Sequence, residues 1–163
     1  MLPFVKPSHV RRYDPEVEIG NYTEAIRAAL KAAPQDLNRR SILLSHQFVT
    51  GASRSDSEEV SVGGLDNVDA DAYDGFDYVA LGHIHGPQNV SGSVDQNIRY
   101  CGTPLKYSFS EVNHKKSVTI VDMREKGTVE ITTVPLTPLH DMRQIRGTYL
   151  EVTARVLEKK FLK

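Results

Sequence analysis

Three histidines have the residue type and spacing that could perform chemistry in this chain. His83 and His85 are two positions apart and lie between Gly82 and Gly86, whereas His46 directly follows a short apolar run. Residues i and i+2 of an extended backbone point to the same side, so both imidazoles of the pair could reach one metal ion at about 2.0–2.2 Å. From the pair alone, metal ligation and ordinary loop histidines that bond to the backbone are equally good interpretations.

The middle of the chain is acidic although the whole chain is nearly neutral. The 163 residues carry a formal charge of −1, but residues 41–100 hold two basic and nine acidic side chains. The same segment contains all three histidines, and a divalent cation is attracted by negative charge and bound by imidazole. A solvated acidic face is the alternative explanation, and charge alone favours it.

Other familiar reaction chemistries lack their sequence motifs. The chain contains no Walker phosphate-binding loop, no GxGxxG, no GxSxG and no HExxH. Nucleotide binding, serine hydrolysis and zinc proteolysis therefore have no basis in this sequence. Several further histidines and cations are predicted to lie on the surface, where scattered bases are more often solvated than bound to phosphate. They are His9, His114, His140, Lys6, Arg11, Arg12, Lys115 and Lys116.

Two apolar runs are predicted to position the three histidines. Residues 41–45 predict a strand that is buried on both faces and delivers His46 at its carboxyl end. Residues 76–81 predict a second buried strand, with His83 and His85 at its end or in the loop that follows. If these strands are neighbours in one sheet, their ends bring the three imidazoles together.

The remaining elements are predicted from capping, periodicity and breakers. Asn21 and Glu24 predict the start of a helix that Pro34 ends, and no helix is expected before Gly20 because Pro7 and Pro15 disfavour one. Alternating apolar residues predict a β-hairpin with a Lys126-Gly127 turn. The other predicted elements are strands at residues 2–5 and 98–101, hairpin strands at 117–122 and 128–134, and a Lys-rich helix as one interpretation of 148–163.

The composition is that of one soluble globular domain. Hydrophobic residues make up 39% of the chain, or about 46% when its 11 glycines are included, and charged residues make up 25%. These are average values, and 163 residues form one domain by default. Cys101 is the only cysteine, which excludes an internal disulfide and a cysteine-based zinc cluster and agrees with a reducing compartment. No apolar run approaches about 18 residues, so we expect a cytoplasmic protein without a membrane segment.

An ordered set of motifs resembles the calcineurin-like metallophosphoesterases. SHQFV at residues 45–49 is followed by YVALGHIH at residues 78–85 and by GTPLKYSFSE at residues 102–111. Within that family the chain is most similar to the SbcD-type nuclease subunits, over residues 2–149. A GHxH sequence alone would be a weak signal, but the ordered set is specific and moves the interpretation of the histidines strongly toward metal ligation.

The resemblance implies roles for the three histidines and shows that other metal-binding motifs of the family are absent from the sequence. His46 resembles the metal ligand of the family's fourth motif, and His83 and His85 resemble the pair of its fifth motif. The family's DxH, GDxxD and GNHD motifs supply the bridging aspartate, the remaining ligands and a histidine that assists the leaving group, and none of them occurs here. We therefore assign no catalytic residue and expect an incomplete two-metal site for Mn²⁺.

The resemblance also implies a fold and a domain boundary. The expected fold is part of a four-layer α/β sandwich with mixed sheets. Residues 1–149 correspond to the second, C-terminal half of the nuclease domain, and residues 150–163 form a divergent tail at the start of a missing capping domain. Loss of the first half would expose strand edges and apolar surface, so we expect pairing with a second copy or with the missing N-terminal half.

The function implied by the resemblance is metal-dependent hydrolysis of DNA phosphodiesters. Proteins of this type act as exonucleases and endonucleases in DNA repair, recombination and replication, with an SbcC-type ATPase and DNA as partners. This chain is expected to be inactive alone, because its carboxylate ligands are missing. The alternatives are a noncatalytic structural or interaction remnant of the fold, and a metallophosphoesterase that acts on small phosphodiesters.

Overall fold

A computed structural model describes residues 1–33, 36, 38–55, 66–90 and 97–153. These residues form three α-helices and eight strands, joined by loops and two short 3₁₀ helices. The helices are α1 (Pro7–Tyr13), α2 (Tyr22–Ala32) and α3 (Tyr149–Thr153). The strands are β1 (Ile42–His46), β2 (Phe48–Val49), β3 (Asn67–Val68), β4 (Tyr78–Gly82), β5 (Gln88–Asn89), β6 (Asn97–Tyr100), β7 (Ser117–Met123) and β8 (Val129–Pro135).

A mixed sheet of four strands is the centre of the fold. Its strand order is β1-β4-β6-β5, in which β1, β4 and β6 are parallel and β5 is antiparallel to β6. Strands β2 and β3 form a small parallel pair, and Leu2 adds a single parallel bridge to Ser45 beside β1. The α/β fold with a mixed sheet that the resemblance implied is confirmed.

The predicted hairpin is confirmed with its turn. Strands β7 and β8 pair antiparallel, from Ser117 opposite Pro135 to Met123 opposite Val129. Gly127 lies in the turn with φ +84°, a left-handed conformation that glycine adopts without steric cost.

Helix α2 is confirmed and helix α1 is a correction. Asn21 caps α2 by accepting a hydrogen bond from Glu24 N–H at 2.8 Å, and Glu24 accepts from Gly20 N–H at 2.7 Å. The expectation of no helix before Gly20 is wrong, because α1 begins at Pro7. A proline is tolerated at the first helical position, since the N–H group that it lacks would have no partner within the helix.

Strand β1 is buried on one face only. Leu43 and Ser45 are buried, whereas Ile42 is 46% exposed and Leu44 is 48% exposed. The prediction of a strand is confirmed, but burial on both faces is wrong, because the side chains of β1 are alternately exposed and buried. The core packs instead between the inner face of the sheet and α2, where Ile26 is fully buried.

Asp77 connects the hairpin turn to the start of the sheet. Its carboxylate accepts hydrogen bonds from Ser41 N–H at 2.7 Å, from Gly127 N–H at 2.8 Å and from Lys126 Nζ at 3.0 Å. Desolvation by burial raises the pKa of the Asp77 carboxyl, but these hydrogen bonds and the Lys126 charge outweigh it and hold the pKa below its ordinary value. The ionised form of Asp77 therefore stabilises the folded state.

We expect Asp77→Asn to lower the free energy of unfolding by about 1–3 kcal/mol at neutral pH. The folded-state pKa lies below the unfolded value of 3.8. The stabilisation is therefore present above about pH 4 and is lost as the pH falls through the folded-state pKa. Urea unfolding of both proteins at about pH 7 and about pH 3 checks this. A difference between them that is as large in acid as at neutral pH would contradict the assignment.

The end of the described chain is a short helix. Helix α3 covers Tyr149–Thr153, and the rest of the tail predicted for residues 150–163 lies outside the described residues. Within the described part of the chain, no helix combines the length and apolar character that crossing a bilayer requires.

Candidate metal centre

His46 and His83 meet at the carboxyl ends of two adjacent parallel strands. Strand β1 pairs with β4 so that His46 lies opposite Gly82, which confirms that the two predicted strands are neighbours. The imidazole ring centres of His46 and His83 are 5.5 Å apart and the ring planes are at 85°. His46 is exposed and His83 is partly buried, so the pair lies at the surface end of the sheet.

Gly82 leaves the space that the His46 ring occupies. A Cβ atom at position 82 would lie 2.7 Å from His46 Nδ1, closer than any ordinary contact. The glycine at this position therefore permits close approach of the imidazole to the neighbouring strand.

His83 has an unusual backbone conformation just beyond β4. Its φ is +102°, the only positive value of a non-glycine residue in the described chain. Such conformations are costly and tend to occur at functional sites. The His83 ring stacks on Phe4, with ring centres 5.8 Å apart and planes within 9°. The extended backbone assumed for His83 to His85 is therefore wrong, because the chain turns at His83.

A buried tyrosine supports the backbone that follows His46. Tyr100 Oη donates to the carbonyl oxygen of Gln47 at 2.7 Å and accepts from Val49 N–H at 2.8 Å. Burial raises the pKa of the Tyr100 phenol, so the group stays neutral and can donate and accept at once. The chain immediately after His46 is thus fixed to Tyr100 of β6, which lies two strands away from β1 in the sheet.

His85 lies in a separate environment of buried charges. His85 Nδ1 is 2.8 Å from Glu111 Oε1, and Glu111 is fully buried. Lys116 Nζ is 2.7 Å from Glu111 Oε2 and also donates to Thr103 Oγ1 at 2.8 Å and to the His85 carbonyl oxygen at 3.0 Å. We call Thr103, Glu111 and Lys116 the His85 support cluster.

The support cluster was not predicted from the sequence. The prediction that Lys116 lies on the surface is wrong, because it is 6% exposed and forms an ion pair with Glu111. His114 is also only partly exposed, with Nδ1 4.0 Å from Glu111 Oε2. The other residues of that group are exposed as predicted: His9, His140, Lys6, Arg11, Arg12 and Lys115. Glu111 lies within the GTPLKYSFSE segment, and this was the one available signal.

Comparison with known proteins identifies a nuclease subunit that is similar to this chain. No protein-family model matches the chain. The SbcD subunit of the nuclease SbcCD from Staphylococcus epidermidis (strain ATCC 12228 / FDA PCI 1200) is 35% identical to it over 162 residues, which cover 98% of the chain. The chain is similar to this SbcD nuclease subunit. The resemblance predicted from the motifs is confirmed by this similarity.

The similarity to the SbcD subunit extends over nearly the whole chain but not over the whole relative. The chain spans 42% of the length of that nuclease subunit. The region of the relative that matches this chain is therefore less than half of its length.

The described residues supply two neighbouring imidazoles of the two-metal site that the resemblance implies, and they do not complete such a site. Neutral imidazoles are suitable ligands for divalent metals, and His46 and His83 already lie in ring contact. No three His, Cys, Asp or Glu side chains lie close enough to hold a metal ion among residues 1–33, 36, 38–55, 66–90 and 97–153. Ligation by His46, His83 and His85 together therefore stays a prediction.

Proposed function

We propose that this chain supplies the histidine ligands of an SbcD-type nuclease centre that hydrolyses DNA phosphodiesters with Mn²⁺. The 35% identity with the SbcD subunit of the nuclease SbcCD over 162 residues is the observation that carries the proposal. The contact between His46 and His83 at the ends of two adjacent parallel strands supports it. In this proposal His46, His83 and His85 are metal ligands through their ring nitrogens.

The metal would supply Lewis-acid stabilisation of the reacting phosphate and activation of water when bound. The chain's own residues have a positioning role: the adjacent strands hold His46 beside His83, and the support cluster holds His85. Because a two-metal centre also needs carboxylate ligands, we propose that the remaining ligands come from outside the described residues. On its own the chain then binds metal weakly and does not cleave DNA.

Metal binding and hydrolysis on one purified sample test this function. Titration with Mn²⁺ should show saturable binding that His46→Ala, His83→Ala and His85→Ala each weaken by about tenfold or more, with His140→Ala as the exposed control. Duplex DNA should remain intact with the chain alone. Mn²⁺ binding that none of the three substitutions changes would contradict the proposal.

The close approach at Gly82 gives a more selective test of the same site. We expect Gly82→Ala to displace the His46 ring, because the new Cβ would lie 2.7 Å from Nδ1. Mn²⁺ affinity should fall about tenfold or more, whereas thermal stability should change little, since the exposed ring can rotate away. Gly20→Ala is the control, because its Cβ would meet only Glu24 Oε2 at an ordinary 3.4 Å. Equal Mn²⁺ affinity in both variants would argue against His46 as a ligand.

A noncatalytic structural or interaction module is the second candidate function. It is favoured by the finding that no three potential metal ligands lie together in the part of the chain that the structure describes. Metal stoichiometry separates the two, since a structural module would show no specific Mn²⁺ binding. Hydrolysis of a small aryl phosphodiester but not of duplex DNA would instead indicate a metallophosphoesterase for small substrates.

The proposed partners are DNA, an SbcC-type ATPase, and either a second copy of the chain or a polypeptide that carries the other half of the nuclease domain. Exposed apolar side chains on the outer face of β1 and on the hairpin support such pairing. They are Ile42, Leu44, Val118, Ile120 and Val134, each 45–51% exposed. Sedimentation equilibrium over a range of concentrations tests self-association, and a monomer at all concentrations would exclude the second copy.

A further inference from the structure

We infer that Glu111 is a positioning residue that holds His85 in the tautomer with its proton on Nδ1, so that Nε2 presents its lone pair to a divalent metal. The inference rests on the proposed function for the role of the metal. The statement about the His85 tautomer, however, concerns the metal-free chain. It follows from the donors and acceptors around one buried carboxylate.

The ammonium group of Lys116 favours the ionised form of Glu111, because protonation of the carboxyl would leave a buried cation without its counter-charge. Lys116 Nζ lies 2.7 Å from Oε2, and Tyr107 N–H donates to the same oxygen at 3.3 Å. An ammonium group and a backbone N–H can only donate, and an ionised carboxylate can only accept. Lys116 is almost as buried as Glu111, with side chains 4% and 0% exposed, so each charge is compensated by the other.

An ionised Glu111 determines which nitrogen of His85 carries the proton. Glu111 Oε1 is 2.8 Å from His85 Nδ1, and a carboxylate has no hydrogen to give. The hydrogen in this contact must therefore come from Nδ1. A neutral imidazole with its proton on Nδ1 has its lone pair on Nε2. Histidine ligands of metals are commonly oriented in this way by a carboxylate on the other ring nitrogen.

The same support cluster also fixes the His85 backbone. Lys116 Nζ donates to the His85 carbonyl oxygen at 3.0 Å, and Thr103 N–H donates to it at 3.1 Å. The ring and the main chain of His85 are thus held at separate points by one buried group of residues. Because β4 ends at Gly82 and the chain turns at His83, His85 is held by these contacts and not by the strand ladder of the sheet.

Nitrogen NMR of the full chain tests the inference without any metal. At about pH 8, where imidazoles are ordinarily neutral, long-range proton-nitrogen correlations show which ring nitrogen of His85 is protonated. We expect Nδ1 in the wild type. In the double variant Glu111→Leu/Lys116→Met, which replaces the ion pair with apolar side chains of similar size, the proton should move largely to Nε2. Asp77→Asn serves as the control, because it removes a charge from another ion-paired carboxylate and should leave the His85 tautomer unchanged.

Mn²⁺ titration of the same samples gives the second measurement. The double variant should bind Mn²⁺ about 10–100-fold more weakly, and paramagnetic broadening of the His85 ring signals should occur at correspondingly higher Mn²⁺ concentrations. A wild-type His85 with its proton on Nε2 would overturn the inference without need of any variant. An Nδ1 proton that persists in the folded double variant would overturn it as well.

The two proposals fail in distinguishable ways. If the tautomer depends on Glu111 but Mn²⁺ does not broaden His85 in the wild type, the positioning of the ring stands and the metal function fails. If Mn²⁺ broadens His85 equally in the wild type and in the folded double variant, the metal function stands and the role of Glu111 fails.

Discussion

Lys116→Met will lower the free energy of unfolding by about 3–5 kcal/mol at neutral pH. The substitution leaves the fully buried Glu111 carboxylate without the cation that lies 2.7 Å away. It also removes the hydrogen bonds from Nζ to Thr103 Oγ1 and to the His85 carbonyl oxygen. Chemical denaturation followed by circular dichroism measures the loss.

The double variant Glu111→Leu/Lys116→Met tests whether charge is the cause of this loss. Removal of both charges ends the cost of an uncompensated buried carboxylate, so the double variant should be more stable than Lys116→Met by about 1–4 kcal/mol. Lys115→Met is the matched surface control, because Lys115 is exposed, and it should change stability by less than about 0.5 kcal/mol. A double variant no more stable than Lys116→Met would show that the lost hydrogen bonds, and not the charge, determine the effect.

Gly102→Ala will destabilise the chain by about 2–4 kcal/mol, through backbone strain and a steric clash together. Gly102 has φ +76°, and a Cβ atom there would lie 2.7 Å from the His85 carbonyl oxygen and 2.8 Å from Pro87 Cδ. The contact with His85 is with backbone and cannot be relieved by rotation of a side chain. Thermal unfolding together with the backbone amide signals of residues near His85 measures both the loss of stability and the displacement.

Gly127→Ala separates the two causes. Gly127 has a similar φ of +84°, but a Cβ atom there would meet no atom within 4 Å. It should therefore cost only the conformational strain of about 1–2 kcal/mol, and the signals near His85 should not move. Equal losses of stability in the two glycine variants would show that the backbone around His85 can yield to the added methyl group.

The strands that carry the histidines could be predicted because their signal is local. A continuous apolar run of strand length before His46 and another before Gly82 are sufficient to indicate two buried strands. Which faces they bury is a different matter. The exposure of Ile42 and Leu44 depends on what packs over the outer side of β1, and residue type in β1 does not contain that information.

The environment of His85 could not be predicted because its contacts are distant in sequence. Glu111 and Lys116 lie in a polar stretch in which charged residues are ordinarily exposed, and neither residue type indicates burial. Their burial depends on mutual neutralisation, which becomes visible only when the fold brings them against His85. The turn at His83 is missed for another reason, since a histidine with φ +102° is unfavourable locally and is maintained by its surroundings. Helix α1 is absent from the prediction because proline disfavours a helix at most positions, although it is tolerated as a first helical residue, as at Pro7.

The parallel pairing of β1 with β4 also determines when the imidazoles come together during folding. Parallel strands require a long connection. Bringing the two ends of this connection together loses conformational entropy before the strand pairing can stabilise the chain. We therefore expect His46 and His83 to meet late, after the local contacts of α2 and of the β7–β8 hairpin have formed. A metal ion that needs both rings would then bind the native state and not the folding transition state. It would slow unfolding and leave the rate of folding unchanged.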